Sequence, residues 1–257
     1  MNNEQEEKQQ AEREELEESS LLSHLVELRS RLMKAAAAVL VIFVGLVPFA
    51  QEVFTLVAQP LMSKLPEGTS MIATRVASPF LTPFKTAFWV AVFAAMPIVI
   101  YQVWAFVAPG LYKREKKLAM PLVLSSIMLF YSGAAFAYYV VFPLMFGFFT
   151  AATPEGVAMM TDIGEYLDFV LVLFFTFGIA FEVPIAILLL VGAGIVSPAS
   201  LSRQRPYILL GAFALGMLLT PPDMISQTLL AVPLFLLYEI GILMARVLIK
   251  KREAKQE

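Results

Sequence analysis

Apolar runs of bilayer length alternate with short polar or proline-containing breaks along this chain. At 1.5 Å rise per residue, about 20 apolar residues carry a helix across a membrane. Leu21 to Leu32, LLSHLVELRSRL, places Leu21, Leu25, Leu28 and Leu32 on one helical stripe, with Glu27 and Arg31 as an i, i+4 pair. It reads as an amphipathic lead-in on the membrane surface. Span one follows from Met33 to about Phe49, and Glu52 to Leu65 reads as a second interfacial helix. Pro66-Glu67-Gly68 ends that helix, and irregular chain is expected as far as Pro83.

Span two is predicted over about Phe84 to Val107, ended by Pro109-Gly110, and span three over about Leu118 to Phe142, flanked by Pro121 and Pro143. Asp162 with Glu165 three residues on has the form of a capping box opening span four. Ser197-Pro198 is an N-cap followed by proline at the first helical position. Span five, about Tyr207 to Leu219, is short for a 30 Å hydrocarbon core. After Thr220-Pro221-Pro222-Asp223 the sixth span starts at Met224 and meets Glu239 after about 15 residues, so it too reads as short. The expected fold is all-α, six spans with the last two short, around a concave cavity. Its parts are an acidic disordered tail (1–20), a six-span domain (21–250) and a basic tail (251–257).

One residue stands against this pattern. Phe169 to Val191, FVLVLFFTFGIAFEVPIAILLLV, carries a single carboxylate, Glu182, near its middle. A Glu there costs on the order of 2–3 kcal/mol or more, so its side chain should face protein or water rather than lipid. Pro184 lacks the backbone donor and should kink the helix beside it. Glu182 is either a functional intramembrane group or a polar residue that pairs with a neighbouring helix. A cavity formed with spans two and three is expected around it.

Composition narrows the chemistry. Hydrophobic residues make up 59% of the chain and charged ones 16%, and the mean hydropathy is +0.75, which places it among polytopic helical membrane proteins. With no Cys and one His, His24, a thiolate or His-cluster metal site is excluded, and no cofactor is expected. The absence of a Walker-type loop argues against ATP binding, and nothing points to an enzyme. Of 19 basic and 21 acidic residues the first twenty positions hold two and eight, so the rest is mildly cationic. Lys and Arg gather before span one, between spans two and three, between four and five, and in the tail. Six spans with both termini in the cytoplasm follow from that distribution.

Several stretches, in this order, resemble one family: SHLVELRSRL, MIATRVASPFLTPFK, YQVWAFVAPGLYKRE, the intramembrane FEVP, and LLTPPDMISQ. They resemble the C subunit of the twin-arginine protein translocase, TatC, from about Leu21 to Lys250, with the acidic tail outside the pattern. The resemblance implies a bacterial inner-membrane receptor for folded proteins whose signal peptides carry paired arginines. It implies that Glu27, beside Arg29, and Glu115 bind those arginines. Small single-span subunits, TatA and TatB, would dock along spans five and six, and transport would draw on the proton-motive force. No nucleic acid partner is implied, and several copies are expected in the complex.

Residue chemistry alone leaves alternatives open. Arg guanidinium pairs with carboxylate in a fork, so two signal arginines need two acceptors. Glu27 and Glu115 also suit pairing with adjacent Arg31 and Lys116. Gln227 and Thr220 suit either a bond to each other or to a partner helix, and Met217 lies on the same short hairpin. Phe106 and Trp104 fit interfacial anchors as well as signal-peptide contacts, and His24 fits a surface residue as well as a contact. Arg75, Ser78 and Asp223 are placed on the outer rim. The competing function is an ion-coupled transporter of a small solute that uses Glu182, although a single deep carboxylate and no evident repeat fit it poorly.

Overall fold

Helices account for nearly all of the structure. A computed structural model describes residues 2–62, 72–111, 119–154, 162–220 and 223–254. In chain order the helices are α1 (Asn2–Leu46), α2 (Ala50–Met62), α3 (Ser78–Leu111), α4 (Ala119–Phe136), α5 (Phe142–Ala152), α6 (Ile163–Ala180), α7 (Val183–Gly192), α8 (Pro198–Arg203), α9 (Arg205–Leu219) and α10 (Met224–Glu253). Among the described residues the only extended pairing is one isolated bridge, Ile72 to Asp162. Among the described residues five stretches are long and apolar enough to cross a membrane: Ser23–Gln59, Ser78–Phe106, Met120–Ala152, Ile163–Gly192 and Met224–Lys250; Arg205–Leu219 is a shorter apolar helix.

The expected breaks and the observed ones differ in an informative way. The lead-in and span one are a single unbroken helix, α1. A 3₁₀ turn, Val47–Phe49 with Pro48 in it, then leads into α2. Helix α3 begins at Ser78 and runs through Pro109 and Gly110 to Leu111, so neither end falls where proline and glycine suggested. Span three does not stop at Pro143. A π turn over Ala137–Val141, in which Phe142 N–H donates to Ala137 O, joins α4 to α5 and carries the helix to Ala152. The wider i→i+5 ring absorbs the proline whose missing N–H would otherwise interrupt the ladder.

Both predicted N-caps are found. Asp162 caps α6 by accepting from the N–H groups of Gly164 and Glu165, and Ser197 caps α8 by accepting from Ser200 N–H. Glu165 does not complete the reciprocal half of a capping box; its carboxylate turns to Arg75 at 3.1 Å. Beyond α7 the chain reverses at Gly194, whose φ of +75° suits a residue without Cβ. Span six is not short. Helix α10 runs 30 residues through Glu239, because Arg205 from α9 meets that carboxylate with two bonds of 2.6 and 2.5 Å. A paired charge lets the apolar helix continue past it.

Helix α1 lies along α3, α4 along α6, and α10 along both α7 and α9. The largest core joins the second half of span three to α6 and to Leu230 of α10, with Phe142, Met145, Val170 and Phe177 fully enclosed. A second core packs α7 on α10 through Ile187, Val191, Tyr238 and Ile242. Lipid is as apolar as these side chains, so close packing rather than exclusion of water must hold such helices together. The tightest approach shows this: a Cβ on Gly133 of α4 would stand 2.3 Å from the Phe177 carbonyl oxygen of α6. We therefore expect Gly133→Ala to lower stability by about 1–3 kcal/mol through overpacking. Gly147→Ala, where a Cβ meets nothing within 4 Å, should be neutral or stabilising by up to about 1 kcal/mol. Thermal unfolding of both variants in one detergent checks the contrast.

Candidate functional site

Call the end of the bundle that carries the basic loops inner, and the end that carries Asp162 outer. At the inner end, His24 of α1 stacks edge-on against Phe106 of α3, with ring centroids 6.5 Å apart. One turn along α1, Glu27 Oε1 accepts from Arg31 Nε at 2.9 Å and Nη2 at 2.5 Å. Both partners are only partly covered, at 35% and 24% exposure. The carboxylate thus already carries a counter-charge from its own helix. Arg29 is exposed beside it. Glu115 lies outside the described residues, so the structure unites His24, Phe106 and the Glu27–Arg31 pair and is silent on the second expected acceptor.

Glu182 sits where span four is broken. The α6 ladder closes with Phe181 N–H to Phe177 O and Glu182 N–H to Ile179 O, both 3.0 Å, and α7 restarts with Ala186 N–H on Glu182 O at 2.9 Å. Pro184, with no N–H, imposes this break. Glu182 borders an apolar groove of about 650 Å³ whose other walls include Ala36 and Val39 of α1, Met96 and Val103 of α3, and Leu190 of α7. Span one, rather than span three, faces it across the groove. Span three contributes Ser126, which interacts with the Glu182 carboxyl and whose hydroxyl accepts from Trp104 Nε1 at 2.9 Å. The Glu182 Oε1 atom is buried without a hydrogen-bond partner. A buried acceptor left unmet costs about 1–3 kcal/mol, which makes Glu182 a costly polar group beside this apolar groove.

The α9–α10 hairpin places the remaining expected residues. Met217 is 57% and Leu218 82% exposed on α9, while Thr220 is buried. The Thr220 hydroxyl donates to Gly216 O at 2.8 Å in its own helix, so it does not bond Gln227. Gly216 instead packs on the Gln227 backbone, where a Cβ would meet Cα and O at 3.4 Å. Sequence reading missed what ties the other end: the Arg205–Glu239 fork, Tyr238 OH to Leu201 O at 2.8 Å, and Arg246 Nη2 to Ser202 Oγ at 2.7 Å. A signal was present, since residues 205 and 239 fall at mirror positions about the Thr220–Asp223 turn. Asp223 itself caps α10, accepting from Ser226 N–H at 2.7 Å.

At the outer end the chain before α3 is pinned to the start of α6. Asp162 Oδ2 accepts from Thr74 N–H and Thr74 Oγ1, each at 2.7 Å, and Oδ1 accepts from Gly164 N–H at 2.8 Å and Glu165 N–H at 3.1 Å. The Thr74 N–H and then its hydroxyl, with help from the Glu165 and Gly164 N–H groups, hold the Asp162 carboxyl down to about 2. Two ion pairs flank it, Arg75 with Glu165 and Lys85 with Asp168.

These features define a multi-pass α-helical membrane protein in which a helix break sets a half-satisfied carboxyl against an apolar groove. The chain belongs to the TatC family: the family described as Sec-independent protein translocase protein (TatC) matches residues 23–233. The Sec-independent protein translocase protein TatC of Azotobacter chroococcum is 64% identical over 222 residues, 86% of this chain and 87% of that one. Its counterpart in Escherichia coli K12 is 54% identical over 92% of each chain. A crystal structure titled Twin Arginine Translocase Receptor TatC superposes with a TM-score of 0.80 at 38% identity, covering 87% of this chain and 98% of that one. The all-α membrane fold and the family resemblance are thereby established, and the protein is a component of a protein translocase.

The Asp162 cap makes a pH prediction. Its folded value of about 2 lies below the ordinary 3.8, so its contribution to stability is complete above about pH 4 and is lost as pH falls towards 2. Asp162→Asn should unfold at a lower temperature than the wild type near neutral pH, and the gap should close over that acid range. A gap independent of pH would show that the charged form is not what the four donors hold.

Proposed function

We propose that this chain is the signal-peptide receptor of a twin-arginine translocase in the bacterial inner membrane, with both termini in the cytoplasm. In this reading Glu27 and Glu115 receive the two arginines, with Arg29, His24 and Phe106 shaping the surface around Glu27. The supporting observation is that both Arg31 bonds land on Glu27 Oε1. A carboxylate accepts about four hydrogen bonds, so a peptide guanidinium can take Oε2 without displacing Arg31. The internal counter-charge then orients the acceptor, and the His24–Phe106 contact fixes α1 against α3 beside it.

Binding of a twin-arginine peptide to the purified full chain tests this. Glu27→Gln should weaken binding by about tenfold or more, the worth of one charge-assisted bond, and a twin-lysine peptide should lose a similar factor on the wild type. Equal affinity for the two peptides would overturn the receptor reading, and a small-solute transporter would bind neither.

The same reading assigns Glu182 to a later step. TatA or TatB, driven by the proton-motive force, would place a polar side chain of its single span against the buried Oε1, with Met217 and Gln227 on the α9–α10 hairpin as further contacts and Thr220 supporting that end from within. Glu182→Gln keeps a donor and an acceptor and should retain much transport, whereas Glu182→Ala should lose it, with peptide binding intact in both. If Gln proves as damaging as Ala at matched protein levels, the residue relays protons instead.

A further inference from the structure

The outer ends of spans one, two and four enclose a cleft of about 450 Å³ that plays no part in the receptor reading. Its chemistry is mixed in an ordered way. Arg75 and Lys85 line one side from the start of span two, and Glu165 and Asp168 line the other from α6. Glu165 and Asp168, three residues apart, share a helix face. Beneath them the wall is aromatic: Phe43 of α1 meets Phe88 of α3 edge-on at 5.6 Å, and Leu81 is 55% exposed along the same helix.

Depth makes this arrangement unusual. Lys85 lies seven residues inside α3 and Asp168 five inside α6, so at 1.5 Å per residue the pair sits about 8–10 Å below the helix starts. Both helices belong to stretches long and apolar enough to cross a membrane, so the pair lies within those stretches rather than in the loops before them. Packing leaves the Lys85 side chain 53% and the Asp168 side chain 35% exposed there. Charges inside a span need polar partners, and these partly exposed pairs leave donor and acceptor sites that a further charged group can share. The four charges cancel, and Asp162 is already filled by its own four donors. A lone anion would meet Glu165 and Asp168, and a lone cation would meet Arg75 and Lys85. A molecule with both charges a few bonds apart complements all four.

We propose that this cleft binds a zwitterionic phospholipid with a primary amine. The phosphodiester lies between Arg75 and Lys85, the ammonium donates to Glu165 and Asp168, and an acyl chain runs down over Phe43 and Phe88. A primary ammonium brings three N–H donors to the two carboxylates, which a quaternary ammonium lacks.

The test uses the full chain, delipidated in detergent and titrated with phosphatidylethanolamine, phosphatidylcholine, phosphatidylglycerol or water-soluble phosphoethanolamine, with bound molecules counted by native mass spectrometry. Phosphatidylethanolamine should bind about tenfold more tightly than the other two lipids, and the double variant Lys85→Gln, Asp168→Asn should lose that preference. A second measurement needs no charge variant: a photoreactive side chain at Leu81 should crosslink to phosphatidylethanolamine in mixed vesicles in preference to phosphatidylcholine. Equal retention of phosphatidylcholine, a preference for phosphatidylglycerol, or phosphoethanolamine binding as tightly as the lipid would each overturn the proposal. The first two would remove the ammonium contact and the third the acyl contact.

Discussion

A backbone surrounded by hydrocarbon has no water to bond, so each of its N–H and C=O groups must be met within the chain. Most features of this fold are answers to that constraint at prolines. Pro48 is taken up in a 3₁₀ turn, Pro143 follows a π turn, and Pro184 follows a two-residue break, Phe181 and Glu182, whose own amides still reach Phe177 and Ile179. None of the three ends a span. The last also explains where the intramembrane carboxyl sits, because a break in the ladder is the one place in an apolar helix where a polar side chain finds its neighbours opened up.

The same constraint decides how much could be read from sequence. The apolar runs, the Asp162 and Ser197 caps and the break at Pro184 were all legible, since each depends on residues within one turn of each other. Pro109-Gly110 and Pro143 were read as stops by rules learnt in water, where a broken helix end is solvated cheaply. In lipid that end is costly, and the helices run on to Leu111 and Ala152. Glu239 misled for another reason: its partner, Arg205, is 34 residues away, and only the hairpin geometry brings the two together. The Lys85–Asp168 and Arg75–Glu165 pairs were hidden for the same reason, each joining residues more than 80 apart.

At the candidate receptor surface residue types were legible in the sequence, and the structure supplied the relations among them. His24 with Phe106 and Glu27 with Arg31 are contacts between positions already singled out, yet neither says alone what the other does. Together they present a carboxylate whose orientation is set before any ligand arrives. Pre-set geometry of this kind spends little ordering entropy on binding, which suits the receptor role proposed for this surface.

The α9–α10 hairpin is fastened at both ends, by the Arg205–Glu239 fork at one and by the backbone contact of Gly216 with Gln227 at the other. Two fastenings about a tight turn make a stiff blade rather than a pair of tongs. Because α9 is shorter than the hydrocarbon is thick, mismatch strain around that blade cannot be relieved by the two helices splaying or sliding. Under the partner contact proposed for this hairpin, that strain falls on the lipids beside it, and an arriving helix gains by replacing them.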